Sequence, residues 1–129
     1  MVRILCIGNR FYYPDDFGIR IYEALSVMEL EEIEVVEGGV GGMSLALYFE
    51  DDADLLVVDY GSCEKSLLTP ADIANIKVTE FSHDSAFLYL LKSVQKEYLV
   101  YLCNERYKKG ALSIYVDEIL ALARGMLCK

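Results

Sequence analysis

The sequence predicts an α/β protein with a mostly parallel central sheet, and three observations carry that expectation. Near-continuous apolar runs at residues 2–7, 54–59 and 98–103 read as strands buried on both faces. Between them lie segments whose apolar residues recur at helical spacing. Glycine-containing turns follow the first two strands, at Gly8-Asn9 and Gly38-Gly39.

Taken in order, residues 2–7 form the first buried strand and end at Gly8-Asn9. Phe17, Ile21, Ala24, Leu25 and Met28 then mark one face of a helix. A second strand is expected over residues 33–37, stopped by Gly38-Gly39, and a short helix from about 42 to 48. The third strand, residues 54–59 (DLLVVD), is the clearest in the chain. Residues 65–68 suggest a brief strand, and Thr69-Pro70-Ala71-Asp72 a helix start with a threonine cap and proline at the first helical position. Phe87, Leu90, Leu91 and Val94 stripe the next helix, and residues 98–103 return to the sheet. Val116, Ile119, Leu120, Ala123 and Leu127 stripe a final helix, for which Ser113 is the expected cap.

Composition narrows the function classes. At 129 residues, with 54% hydrophobic and 26% charged residues, the chain reads as one domain over residues 1–129 that needs neither disulfide nor structural metal. Twelve Lys plus Arg against 21 Asp plus Glu leave a net charge of -9, which argues against nucleic-acid backbones and anionic membranes. No apolar stretch approaches the ~20 residues of a membrane helix. The apolar start is too short for a signal peptide, so the cytoplasm is the expected compartment. No two of the four cysteines form a C-x-x-C pair; Cys6 and Cys103 read as buried core thiols.

Ligands of open α/β sheets bind beyond the carboxyl ends of the strands, where the topology changes direction. Asp15 and Asp16 lie in the loop after the first strand, Asp59 ends the third, and His83, the sole histidine, precedes a helix. Two carboxylates and an imidazole on one sheet edge suit a borderline metal with open positions. Each residue also has a structural alternative. Asp59 is placed to cap a turn, Asp16 or Asp15 to cap the helix near Phe17, and His83 to flank a helix. Cys63, four residues beyond Asp59, is either a solvent-facing loop thiol or a nucleophile paired with His83. The glycine-rich stretch Gly38-Gly39-Val40-Gly41-Gly42 permits close approach of a ligand or extended peptide, or is simply a tight turn. Neither a G-x-G-x-x-G nor a P-loop pattern is present.

Read in order, these motifs resemble the hydrogenase maturation peptidases, which remove a C-terminal extension from the large subunit of [NiFe] hydrogenases. Ile4-Leu5-Cys6-Ile7-Gly8-Asn9 followed by Asp15-Asp16-Phe17-Gly18 is similar to that family's glycine-asparagine turn with its acidic residue before a glycine. Glu37-Gly38-Gly39-Val40-Gly41-Gly42, Leu55-Leu56-Val57-Val58-Asp59, Ser82-His83-Asp84 and Leu112-Ser113 resemble its later motifs in the same order. The resemblance implies a three-layer α/β/α fold, cytoplasmic endopeptidase activity and a nickel-binding cleft. The family's ligand positions fall on Asp15, Asp59 and His83, which would also be the catalytic residues, with Gly38, Gly39, Val40 and Gly41 as the substrate-binding loop. Nickel would arrive already inserted in the precursor. The sequence departs from the family at Pro14, at Val40 in place of threonine, over a shortened stretch at 104–111, and at Ile114 in place of proline; these changes bear on substrate identity more than on fold. Two other functions compete with the endopeptidase: a non-proteolytic chaperone for a nickel-enzyme precursor, and a cysteine hydrolase using Cys63 and His83.

Overall fold

Apolar residues on both sides of each central strand require cover on both faces of the sheet. That is how the chain folds. A computed structural model describes residues 1–40, 43–61, 65–75 and 90–128. Its five-stranded sheet runs β2-β1-β3-β5-β4, with β1 at Val2–Ile7, β2 at Ile33–Gly39, β3 at Asp54–Tyr60, β4 at Leu67–Leu68 and β5 at Tyr98–Cys103. β1, β2, β3 and β5 are parallel, and β4 pairs antiparallel with β5 through Leu67 opposite Tyr101.

The two faces follow strand alternation. Val2, Ile4 and Cys6 of β1, Leu56 and Val58 of β3, and Tyr101 and Cys103 of β5 face two helices. These are α1 (Phe17–Ser26), through Phe17, Ile21 and Leu25, and the long C-terminal helix (Leu112–Leu127), through Val116, Ile119, Leu120, Ala123 and Met126. On the other face Leu5, Ile7, Leu55, Val57, Val100 and Leu102 pack with Leu45, Leu68, Ile73 and Leu91. Leu45 lies in a 3-10 stretch (Met43–Phe49) and Ile73 in the short helix α2 (Pro70–Ala74). Each such side chain withdrawn from water stabilises the fold by about 1.5–3 kcal/mol. The C-terminal helix is α3 below. Cys6 and Cys103 are buried free thiols, as the sequence suggests.

Several element boundaries differ from expectation for local reasons. β2 continues through Gly38-Gly39 because the β1–β2 register shifts at Cys6/Ile7, and this irregularity absorbs the glycines. β3 runs one residue past Asp59, and the brief strand at 65–68 shortens to Leu67–Leu68. α1 ends at Ser26, so Met28 leaves the buried stripe and is exposed. The helix expected from 42 to 48 is a 3-10 segment. Ser113 does not cap α3: the N-cap is Ala111, entered from a 3-10 turn in which Ala111 N–H donates to the Lys108 carbonyl at 2.9 Å. Thr69 does cap α2, in a reciprocal capping box with Asp72. Phe87 lies outside the described residues, while residues 90–93 are helical.

At the amino-terminal end of the sheet, Arg3 is nearly buried on the second face. Its guanidinium donates to both Asp51 carboxylate oxygens (3.0 and 2.7 Å), to Glu34 (3.2 Å) and to the Tyr48 carbonyl (3.0 Å). Lys96 joins at Asp51 Oδ1, 3.1 Å away. These bonds tie the segment before β3 to β1 and to the segment before β5. The Arg3 hydrogen bonds foremost, then Lys96 and the Ala53 N–H, hold the Asp51 carboxyl below its ordinary range.

Two outcomes are expected. A Cβ at Gly18 would sit 2.0 Å from the Ile7 carbonyl oxygen, which is backbone and cannot step aside. Gly18→Ala is therefore expected to lower unfolding free energy by about 3 kcal/mol, read from urea midpoints. Because folding depresses the Asp51 carboxyl, its stabilisation is complete above the free-carboxylate value of about 4 and is lost as pH falls below it. Urea midpoints measured from pH 5 down to pH 2 should fall less steeply in Asp51→Asn than in the parent chain.

Candidate active site

β1 is central, with β2 on one side and β3 on the other. The chain thus leaves the carboxyl ends of β1 and β3 at a switch point, the place where open α/β sheets bind ligands. Cys6 pairs with Val58, which puts Asp59 level with Ile7 on the adjacent strand, about 4.8 Å away across the sheet. Asp59 is fully buried, and its Oδ1 accepts the Tyr60 N–H at 2.7 Å. That bond satisfies a strand-end donor, so the turn-capping role expected as an alternative is partly realised.

Asp15 is held over the end of β1 by backbone geometry. Its carbonyl accepts the Asn9 N–H at 2.9 Å, and a Cβ on Gly8 would sit 2.8 Å from the same oxygen. The loop from Asn9 to Asp15 therefore closes on itself, helped by Tyr12 N–H to Asn9 carbonyl at 3.2 Å and Phe11 N–H to Asn9 Oδ1 at 3.0 Å. Asp15 is half-buried, with Oδ1 out of solvent. Both carboxylates thus stand at the carboxyl ends of neighbouring strands, as their positions in the sequence suggest.

Asp16 departs from expectation. It occupies the N-cap position of α1, yet its side chain makes no capping bond. Its Oδ2 accepts from Arg20 Nε at 3.1 Å, and its Oδ1 accepts the hydroxyl of Tyr107, a residue 91 positions away. Tyr107 is buried in the core against Phe17, and burial, reinforced by the Asp16 bond, pushes its hydroxyl pKa upward, so it remains a donor. Its carbonyl also accepts the hydroxyl of Tyr13, whose ring lies 5.1 Å from its own. Sequence reasoning missed Tyr107, because a tyrosine in the segment after β5 carries no local mark of a partner in the loop after β1.

Gly38 and Gly39 sit beside this edge. The Gly8 N–H donates to the Gly39 carbonyl at 2.7 Å, and Gly39 adopts φ +59°. A Cβ at Gly38 would meet Ile7 Cδ1 at 2.7 Å. Gly38 is thus accounted for by packing against β1 and Gly39 by its left-handed backbone, and Val40 follows them as an exposed side chain. Gly41 of the expected substrate loop, His83 and Cys63 lie outside the described residues. Among the described residues, no group of three or more His, Cys, Asp or Glu side chains is placed to hold a metal. The carboxylates of Asp15 and Asp59 have the donor chemistry for two positions on a borderline divalent ion, with an imidazole as the expected third.

No protein-family model matches the sequence, and comparison with curated proteins finds no significant match. Solved structures do match in fold. The hydrogenase-maturating endopeptidase HybD from Escherichia coli superposes with a TM-score of 0.75 at 19% identity, over 97% of this chain and 93% of its own. A hydrogenase 2 maturation peptidase from a Thaumarchaeota archaeon gives 0.62 at 24% identity, over 94% and 96%. The [NiFe] hydrogenase maturation protease HycI from Thermococcus kodakarensis gives 0.64 at 14%, over 95% and 90%. The chain has the fold of the hydrogenase maturation proteases. The α/β/α arrangement and mostly parallel sheet expected from the sequence are both present.

Because Gly39 holds a left-handed backbone, Gly39→Ala is expected to cost roughly 1–2 kcal/mol of stability, measured by thermal melting.

Proposed function

We propose that this protein is a cytoplasmic endopeptidase that removes the C-terminal extension of a [NiFe] hydrogenase large-subunit precursor, with Asp15, Asp59 and His83 addressing the precursor's nickel. One observation carries the reading. In a fold shared with hydrogenase maturation endopeptidases along nearly its whole length, a fully buried carboxylate one residue before the end of β3 stands beside a loop that closes Asp15 over the end of β1.

Nickel belongs to the substrate in this reading. Two carboxylates and one imidazole are a poor high-affinity cage for it, but they complete a shell provided mainly by substrate thiolates. Recognition is then confined to precursor that already contains metal. Water adds to the scissile carbonyl, the C–N bond breaks, and the proton passes to the new amine. Asp15 or Asp59 serves as the general base, or the substrate's nickel polarises the carbonyl. In this reading Gly38, Gly39 and Val40 border the approach of the extended peptide, and Gly41 is expected to belong to the same substrate loop. The net charge of -9 favours a neutral or cationic partner surface.

The test is mass spectrometry of a large-subunit precursor, nickel-loaded or nickel-free, incubated with this protein. Loss of a C-terminal peptide from the nickel-loaded form alone is expected. Asp15→Asn, Asp59→Asn and His83→Ala should each slow processing by on the order of 100-fold or more. Binding without cleavage would replace the reading with a non-proteolytic chaperone. Cleavage abolished by Cys63→Ser, with His83 required, would replace it with a cysteine hydrolase.

A further inference from the structure

The loop that carries Asp15 has little apolar burial of its own. Phe11 is 86% exposed and Tyr12 66%. A loop so placed opens at low free-energy cost unless something beyond its own turns holds it. Beside its backbone bonds, side-chain contacts from a distant part of the chain come from Tyr107, which is 1% exposed and lies between β5 and α3.

We propose that Tyr107 is a positioning residue that fixes Asp15 from both sides, through its hydroxyl on Asp16 and its carbonyl under Tyr13. The inference rests on the reading of Asp15 as a site carboxylate. Tyr13 and Asp16 flank Asp15 in the chain, separated from it by Pro14 and by nothing, respectively. Tyr13 donates its hydroxyl to the Tyr107 carbonyl, and the two rings tilt together at 5.1 Å. Asp16 accepts the Tyr107 hydroxyl on Oδ1, while Arg20 takes Oδ2 at 3.1 Å. The Tyr107 ring is itself braced edge-on against Phe17, the first residue of α1, at 5.4 Å. A buried core residue is thereby bonded to both ends of the short segment that presents Asp15. Asp16 makes no capping bond, so its carboxylate is committed to this clamp and to Arg20.

Tyr107→Phe removes the hydroxyl while keeping the ring, the Phe17 contact and the carbonyl that Tyr13 uses. The reporter is the Asn9 amide, whose proton bonds the Asp15 carbonyl. Its hydrogen exchange should quicken about tenfold or more in Tyr107→Phe, with the amides of Leu5 and Val57 unchanged. The same response is expected in Asp16→Ala, which removes the acceptor, and Tyr107→Phe should add little on that background. In cleavage of nickel-loaded precursor, kcat should fall about tenfold or more at unchanged KM. Unaltered Asn9 exchange would overturn the proposal, and so would an increase shared equally by Leu5 and Val57, which marks general destabilisation. A loosened Asn9 with full kcat would overturn it as well. If the parent chain cleaves no precursor, the functional reading fails separately, and the Asn9 amide alone decides the clamp.

Discussion

The carboxyl end of β1 is where the described backbone segments approach one another closely, and the arrangement of the proposed site depends on it. Three segments meet there through backbone. Gly18 brings α1 so close that a Cβ would lie 2.0 Å from the Ile7 carbonyl oxygen. Gly8 donates to Gly39 at the irregular end of β2, and Asn9 donates to Asp15 at the far end of the loop. Main-chain bonds at such short range fix relative positions better than side-chain packing does, because they have few rotamers to relax through. A loop, a helix start and a strand end are therefore held in one frame, and Asp15 belongs to it.

The two ends of the sheet use charge differently. At the amino-terminal end, Asp51 meets Arg3 and Lys96, an arrangement in which each ion has a partner and the cost of desolvating Arg3 is offset. At the carboxyl end, Asp59 is withdrawn completely from solvent at the tip of a central strand. Taking a carboxylate out of water costs several kcal/mol before compensation, and an apolar residue in its place would carry no such cost. Part of that cost is offset by the Tyr60 N–H, which Asp59 Oδ1 accepts at 2.7 Å. In the proposed function the same carboxylate serves a ligand at the switch point between β1 and β3, which would give a further reason for an aspartate there.

What the sequence conveyed and what it withheld separate along one line. β1 and β5 were legible to the residue because an apolar run bounded by turn residues has one plausible fate in a doubly covered sheet. The place of Asp59 near the end of β3 was legible for the same reason, because the apolar run stops there. The Thr69-Pro70 helix start was legible from chemistry confined to neighbouring residues. Features fixed by distant partners were not. Asp16 looked like a helix cap, since nothing near it in the chain announces Tyr107. Ser113 looked like a cap because a preceding 3-10 turn leaves no periodic trace. Gly38-Gly39 looked like a strand stop because a register shift exists only once β1 is alongside.

That division bears on how a fold can persist between chains only 14–24% identical. Topology places the carboxyl ends of β1 and β3 side by side whatever side chains fill the core, provided each run stays apolar and each close approach keeps its glycine. The location of a site at that edge thus needs few particular residues. Its precision needs more, because a carboxylate must be held to within a fraction of an ångström to act on a bound group. In the proposed clamp that hold is assembled from a tyrosine and an aspartate 91 positions apart. Location and precision therefore have different physical sources: the first is carried by the sheet order, the second by particular side chains.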